Sequence, residues 1–266
     1  MRKIYVFIII LLSIYFLFSC SSMYIPPMVN IPLHENKGEC QIDVGAGTNS
    51  FYFSGNYAFT DKYALQVNGN ASFHNFSNYY DILTDKDRDT YSPGGLFEID
   101  YDWGEFSHQY GEIGFGRYNI LNSVWKFETF AGYGYGYGYD EFENLYNHYN
   151  LGYIQGNLGR KIPKRNFEFG FACRISYSEF NFEYTNDNDE RKTLIFDNIS
   201  IEPNAFYRVG TETVRFYSKL GFNLMYSFES FDGINLYRGI KNEDLNYTGL
   251  HCSIGINIRL GHKKKT

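Results

Sequence analysis

Three histidines adjoin acidic stretches of the chain and are the residues best suited to acid–base chemistry. His74 precedes a run of aspartates, His108 lies between two glutamates, and His148 follows an acidic stretch. A histidine held by a carboxylate can activate water for hydrolysis. The chain has neither a Gly-x-Ser-x-Gly nucleophile pattern nor a His-Glu-x-x-His zinc pattern. Hydrolysis is therefore the least favoured of the hypotheses below, and we predict no catalytic residue.

The segment Asp85-Lys86-Asp87-Arg88-Asp89 has the alternating carboxylates that begin a calcium-binding loop. Such loops also need a glycine at their sharp turn and a bidentate glutamate at their end. The chain lacks both at this spacing, and two bases stand between the acids. We therefore predict no metal site and no cofactor, and interpret the segment as a solvated loop.

The beginning of the chain predicts export and lipid attachment. Arg2 and Lys3 precede an apolar run over residues 4–18, which is the layout of a secretory signal. The Leu-Phe-Ser-Cys sequence ending at Cys20 is similar to the lipobox of bacterial lipoproteins. Residues 1–19 are predicted to be a lipoprotein signal peptide, and Cys20 to be the lipid attachment site, carrying acyl chains such as palmitate. A plain signal peptide or an uncleaved anchor is the alternative.

Alternation of apolar and polar side chains with period 2 predicts β-strands in the rest of the chain. From Val214 to Phe228 every second residue is apolar except for one serine, while the residues between them include Arg215, Lys219 and Asn223. The predicted strands cover approximately residues 40–47, 50–59, 63–73, 108–118, 124–139, 148–160, 166–184, 195–208, 213–229 and 247–261.

Tight turns and longer polar connections alternate between these strands, and the longest connections reach across residues 75–107 and 230–247. Outer-membrane barrels have short periplasmic turns, longer outer loops and an even number of strands. The predicted fold is all-β, a single antiparallel up-and-down membrane β-barrel of about ten strands, with eight or twelve as alternatives. Both chain ends are then expected on the periplasmic side.

This fold divides the chain into four parts. After the signal peptide, residues 20–39 are predicted to be a lipidated N-terminal linker, residues 40–261 the β-barrel, and residues 262–266 a basic C-terminal tail. The lysines of that tail suit anionic lipid headgroups. A soluble β-domain tethered at Cys20 is the alternative, because the chain lacks the terminal aromatic residue of many outer-membrane barrels.

The composition agrees with a membrane barrel and excludes one class of partner. Aromatic residues make up 20% of the chain, and its formal net charge is −6. An acidic chain without a basic face argues against nucleic-acid binding. The widely spaced Cys40, Cys173 and Cys252 fit neither a disulfide scaffold nor a zinc site, and we interpret them as small apolar side chains in strands.

Further motifs are carried by residues 24–27, 30–33, 37–39, 47–49, 57–62, 68–73 and 112–118. With the lipobox, they resemble a group of outer-membrane β-barrel lipoproteins common in Bacteroidota-type bacteria. The resemblance covers most of the chain and implies the same barrel. Because members of that group share no agreed activity, it implies no catalytic residues.

Assigning the apolar face of each strand to lipid leaves a charged inner face. The sequence predicts a lumen polar network of balanced acids and bases, formed by Asp43, Glu112, Lys126, Glu128, Glu168, Arg174, Glu202, Arg215, Lys219 and Arg259. The lumen of a barrel of about eight strands is just wide enough to be filled by side chains. Unpaired buried charges are costly, so the balance favours a salt-bridged core over a conduit.

Two further features concern individual strands. Tyr133, Tyr135, Tyr137 and Tyr139 alternate with glycine, which predicts an aromatic girdle at the lipid–water interface, with a sugar-stacking platform as the alternative. Pro203 cannot donate a ladder hydrogen bond, which predicts a bulge in the eighth strand.

The function predicted from the sequence is non-enzymatic. It is that of an outer-membrane lipoprotein barrel in a structural or surface-interaction role. The predicted partners are outer-membrane lipid and lipopolysaccharide, with a protein partner at the outer loops left open. A narrow channel or small-solute transporter is the alternative, and an outer-membrane hydrolase acting at the outer rim is less favoured.

Overall fold

The computed structural model describes residues 27–47, 50–73, 106–122, 124–140, 145–162, 166–185, 191–227 and 249–261. They form strands β1 (Cys40–Gly47), β2 (Ser50–Tyr57), β3 (Tyr63–Phe73), β4 (Phe106–Ile120), β5 (Trp125–Asp140), β6 (Leu145–Ile162), β7 (Phe167–Thr185), β8 (Arg191–Gly210), β9 (Val214–Ser227) and β10 (Gly249–Leu260). Within these ranges no helix has the length and apolar character needed to cross a membrane.

Each strand pairs antiparallel with the next along the chain, and β10 pairs with β1 to close the barrel. At the closure Cys40 lies opposite Leu260, and Gly47 lies opposite Ser253. The all-β, ten-stranded, up-and-down antiparallel barrel predicted from the sequence is therefore confirmed. We call the end that holds the β2–β3, β4–β5, β6–β7 and β8–β9 turns the short-turn end, and the opposite end the long-loop end.

The two faces of the wall have the polarity of a membrane barrel. Outward side chains are apolar and exposed, as in Ile113, Phe171 and Tyr226, whose exposed fractions are 58%, 63% and 68%. Inward side chains such as Arg174 and Lys219 are charged and buried. A soluble barrel would have the opposite arrangement, whereas strands in a lipid bilayer alternate apolar-out and polar-in.

The wall differs in height around the barrel. β1 and β2 have 8 residues each, whereas β8 has 20. Above Ser178 on β7 the polarity reverses, because Phe180 and Phe182 face inward and Glu179 faces outward. The apolar outer band therefore ends near Ser178, and the taller strands continue beyond it.

The β8–β9 ladder differs from the prediction at Pro203. Ile201 lies opposite Leu224 and Asn204 lies opposite Gly221, so both strands advance equally across the interruption. The predicted bulge is wrong, since a bulge would insert an extra residue in one strand. Pro203 stays in register with Cys173 of β7, and only the pairing toward β9 is interrupted.

Residues 27–39, which we call the N-terminal segment, lie inside the barrel, although the sequence predicted only a linker there. Val29, Ile31 and Leu33 have no exposed surface. The segment joins β1 at the short-turn end through Glu39, and it reaches Gly47 at the other end of β1 through Met28. It therefore runs along the lumen.

Candidate functional site in the barrel lumen

The N-terminal segment has its own two-sided pattern. Val29, Ile31 and Leu33 alternate with Asn30, Pro32 and His34, which is the period of an extended chain. The three apolar side chains form one cluster with Ala172 of β7 and Phe206 of β8. Ala172 and Phe206 are apolar residues on an otherwise polar inner face, and they form the surface on which the segment packs.

The opposite face of the segment bonds to the wall through an amide group. The side chain of Asn30 donates to the oxygens of Asn56 on β2 and Asn68 on β3, at 2.7 and 2.8 Å. Asn56 donates back to Asn30 at 3.2 Å. The segment therefore contacts β2 and β3 on one side and β7 and β8 on the other, which spans the lumen.

Side chains of the wall also bind consecutive backbone carbonyls of the segment, where an extended chain leaves them without internal partners. The bonds run from Gln155 to the oxygen of Asn30 at 2.6 Å, from Arg208 to those of Ile31 and of Pro32 at 3.3 Å, and from Lys126 and Arg259 to that of Leu33 at 3.1 and 3.2 Å. Much of the lumen's positive charge is therefore directed at the segment.

Glu168 of β7 is the centre of a charged layer near the short-turn end of the lumen. Its carboxylate lies 2.8 Å from Lys126 Nζ, 3.3 Å from Arg208 Nη1 and 3.0 Å from Arg215 Nη1. All four side chains are buried, so each charge depends on these partners for its stabilisation.

The segment brings two carboxylates of its own into this layer. Glu35 lies 2.8 Å from both Lys126 and Lys161, and Glu39 lies 2.8 Å from Arg259. The balance of lumen charge therefore includes acids outside the barrel strands.

Glu39 also closes the turn that leads from the segment into β1. Glu39 accepts hydrogen bonds from the backbone N–H groups of Glu35 and Asn36, at 2.9 and 3.3 Å. Gly38 has φ +80°, a left-handed conformation that favours glycine. The Lys37-Gly38-Glu39 motif therefore makes the corner at which the chain turns from the lumen into the wall.

A second charged group lies further along the lumen. Arg174 of β7 donates two hydrogen bonds of 2.9 Å to the carboxylate of Glu112 on β4. It also donates to Gln155 at 2.9 Å, and its guanidinium lies 4.1 Å from the centre of the Tyr153 ring. This bidentate pair crosses the lumen and, together with its neighbours, fills the section beside the segment.

The ten predicted lumen residues are all buried. Besides the groups described above, Asp43 pairs with Lys219 at 3.4 Å, and Glu202 accepts from Ser200 at 3.1 Å. Glu128 accepts the backbone N–H of His34 at 2.7 Å and the side-chain amide of Asn157 at 3.1 Å. The N-terminal segment contacts several of these groups, through the carboxylates of Glu35 and Glu39 and the backbone of Asn30 and His34.

His34 is a further titratable group buried within this arrangement. Its ring lies 5.5 Å from that of Tyr118, and Nδ1 is 3.9 Å from a carboxylate oxygen of Glu39. Its backbone N–H donates to Glu128, and its ring lies between Tyr118 and Glu39.

Of the three histidines beside acidic stretches, the structure describes His108 and His148, which lie on opposite faces of the wall. His108 is buried and bonded to Tyr149 at 2.8 Å, facing the lumen. His148 lies on the outer face and is bonded to Tyr135 at 2.8 Å. The contacts of the described residues bond neither ring to a carboxylate, and His74 and the Asp85 to Asp89 segment lie outside the described residues.

The tyrosines of β5 face outward, and the glycines between them face inward. Tyr133 and Tyr135 are 55% and 50% exposed, and Tyr139 packs on Tyr146 with ring centroids 4.6 Å apart. On the inner face, a Cβ at Gly136 would lie 2.0 Å from the Tyr149 ring. The alternation therefore places one layer of tyrosines toward lipid and makes room for another inside.

Sequence reasoning missed Arg208, Glu35, Glu39 and the whole N-terminal segment as parts of the lumen. Two signals could have indicated it. The period-2 pattern of residues 28–34 is that of a packed extended chain. Inward apolar positions such as Ala172 and Phe206, within an otherwise polar inner face, require an apolar partner.

Little space remains beside the segment. A cavity lined by residues including Pro27, Met28, Tyr52 and Lys219 has about 10 Å³ of room, which is enough for roughly one water-sized sphere. Groups of three or more side chains suited to metal binding are absent from the described part of the chain. This cavity is too small for a substrate-sized ligand.

Comparisons with known proteins add little to this geometry. No family model matches the chain, and no curated protein matches it. Among solved structures, it is similar to the outer membrane protease OmpT of Escherichia coli, with 10% identity and a TM-score of 0.42 over 83% of this chain and 90% of that one.

Two further solved structures are similar over smaller shares of their own lengths. The OmpT outer membrane protein of Vibrio cholerae has 10% identity and a TM-score of 0.32, over 85% of this chain and 62% of that one. The copper transporter OprC has 11% identity and a TM-score of 0.33, over 84% of this chain and 34% of that one. At these values the likenesses carry no argument about activity or ligands.

Proposed function

We propose that this chain is a closed, non-conducting outer-membrane barrel with a structural or surface-interaction role, anchored by lipid at Cys20. The observation that carries the proposal is the N-terminal segment, whose backbone carbonyls and carboxylates are bound by Arg208, Lys126 and Arg259 inside the lumen. A lumen occupied in this way supports a closed barrel over a narrow channel or transporter.

The outer-membrane location and the partners belong to the same proposal. The apolar outer face and the exposed tyrosines of β5 support contact with lipid and lipopolysaccharide. The resemblance to Bacteroidota-type lipoproteins points to the same location. A protein partner would meet the barrel at loops 74–105 and 228–248, which lie outside the described residues, as does the basic tail.

Conductance in planar lipid bilayers tests the closed barrel. The full chain should be insulating, whereas a variant lacking residues 27–34 should show steps of ionic current because the lumen loses its filling. Both proteins must first migrate faster on detergent gels before boiling than after it, which shows that each barrel is folded. Steady open-channel current from the full chain would overturn the proposal in favour of a channel.

Incorporation of labelled palmitate tests the anchor separately. The full chain should carry the label, and Cys20→Ser should lose it while the barrel keeps its gel shift. Equal labelling of both proteins, or labelling of neither, would remove the lipid anchor from the proposal without affecting the closed lumen.

A further inference from the structure

The described part of the N-terminal segment has a direction within the barrel. At the short-turn end, Gly38 donates to the carbonyl of Ala58 at 2.7 Å, and Ala58 donates to the carbonyl of Glu39 at 2.9 Å. At the other end, Met28 clusters with Tyr52 and Tyr217, inward residues of β2 and β9. From Glu39 back toward Pro27, the chain therefore climbs from the short-turn end toward the long-loop end.

Met28 reaches the rim on the lowest side of the wall. Its Cε is 3.6 Å from where a Cβ on Gly47, the last residue of β1, would lie. With 8 residues each, β1 and β2 stand about 20 Å tall, given about 3.3 Å per residue and a tilt of about 40°. This is less than the apolar band of about 25 Å in such barrels.

The outer surface below this rim is apolar up to its edge. Phe51, one residue after the start of β2, is 64% exposed, and Phe53 and Val44 are 49% and 52% exposed. Outward Phe51 therefore places the β1–β2 rim at the lipid boundary itself. The low rim lies beside Pro27, where the described segment begins.

Chain length sets how far Cys20 can lie from this point. Cys20 precedes Pro27 by seven residues, which span at most about 25 Å when fully extended. The outer lipid boundary is within that reach. A return to the short-turn end would have to pass back through a lumen already filled by the segment and by buried side chains such as Arg174 and Lys219.

From this path we infer that the chain enters its own barrel from the long-loop end, so that Cys20 lies at the outer face of the membrane. With the lipid anchor of the proposed function, on which this part rests, the acyl chains insert into the outer leaflet beside the β1–β2 hairpin. This placement replaces the expectation that both chain ends are periplasmic. It also accounts for the short β1–β2 connection on the side where longer loops were expected, since a low rim lets the segment pass.

Labelling of single cysteines in intact cells tests the path. In a background in which Cys40, Cys173 and Cys252 are replaced by alanine, Ser22→Cys and Lys264→Cys mark the two chain ends. A maleimide carried on a polymer too large to cross the outer membrane should label Ser22→Cys equally in intact and permeabilised cells. It should label Lys264→Cys, beyond the short-turn end of β10, only after permeabilisation.

Protection of Ser22→Cys in intact cells would overturn the inference, as would labelling of Lys264→Cys there. The parent with Cys20 alone is the blank, because an acylated Cys20 has no free thiol. If that parent is labelled in permeabilised cells, the lipid anchor fails. The path is then tested in the same way on a Cys20→Ser background.

Discussion

At the scale of single residues, the lumen is stabilised by buried charged side chains that pair with one another instead of with water. Glu168 is buried among Lys126, Arg208 and Arg215, and no solvent is available to replace a lost partner. Removing one member of such a group leaves the others as uncompensated buried charges, which costs more than the group's net contribution to stability.

Glu168→Gln should therefore lower the free energy of unfolding by about 3–5 kcal/mol, the usual cost of breaking a buried ion pair. Glu183→Gln on the same strand is the control. Its partner Arg191 is exposed, at 3.6 Å, and such surface pairs contribute less than about 1 kcal/mol. Urea titration of both variants in detergent micelles measures the difference, and equal losses would show that the Glu168 group is not the centre of the layer.

At the scale of elements, the N-terminal segment packs against the wall at a position where a glycine leaves room for it. A Cβ on Gly159 of β6 would lie 2.0 Å from Cδ1 of Leu33, which is fully buried. Gly156 on the same strand faces outward, and a Cβ there would meet nothing within 4 Å. The two glycines thus differ in whether the segment needs them.

Gly159→Ala should destabilise the barrel by about 1–3 kcal/mol through overpacking, and Gly156→Ala should have little effect. Leu33→Ala should cost about 2–5 kcal/mol through the cavity it leaves. Because the added methyl group partly fills that cavity, the double variant should be more stable than the sum of the single changes predicts. Strict additivity in a double-mutant cycle would place Leu33 away from Gly159.

Sequence periodicity was sufficient for the strands because each has one lipid-facing and one lumen-facing side. Ends differ by a few residues where strands continue beyond the membrane, as at Arg191 of β8, predicted to start near 195. At Phe180 and Phe182 the alternation keeps its period of 2, but the apolar side chains face inward instead of outward. Pro203 was misjudged because a missing donor can interrupt a ladder without inserting a residue.

The contents of the lumen were less predictable. Alternation shows which side chains point inward, but it does not pair residues across a barrel. Arg174 and Glu112 are separated by 62 positions, and Arg208 and Ile31 by 177. Pairings of that kind depend on the register of every intervening strand. The Ile31 partner of Arg208 is also a backbone carbonyl, which carries no sequence signal.

At the scale of the whole molecule, the barrel and its N-terminal segment form one folding unit. Without the segment, the Lys126, Arg208 and Arg259 side chains would lose partners inside the membrane, and the cluster at Ala172 and Phe206 would lose its apolar cover. The low β1–β2 hairpin and the tall β5–β8 wall give this unit an asymmetric rim. The segment begins beside the low part.

The position of the segment inside the lumen is the central claim, and chemical cross-linking tests it most directly. In the cysteine-free background with Cys20→Ser, a short bifunctional thiol reagent is applied to Asn30→Cys paired with Asn68→Cys, whose native side chains are 2.8 Å apart. Asn30→Cys paired with Val67→Cys is the control, because Val67 is the next residue of β3 and faces outward. We predict a cross-linked peptide from the first pair and none from the second; no link in the first pair, or equal links in both, would contradict a segment inside the barrel.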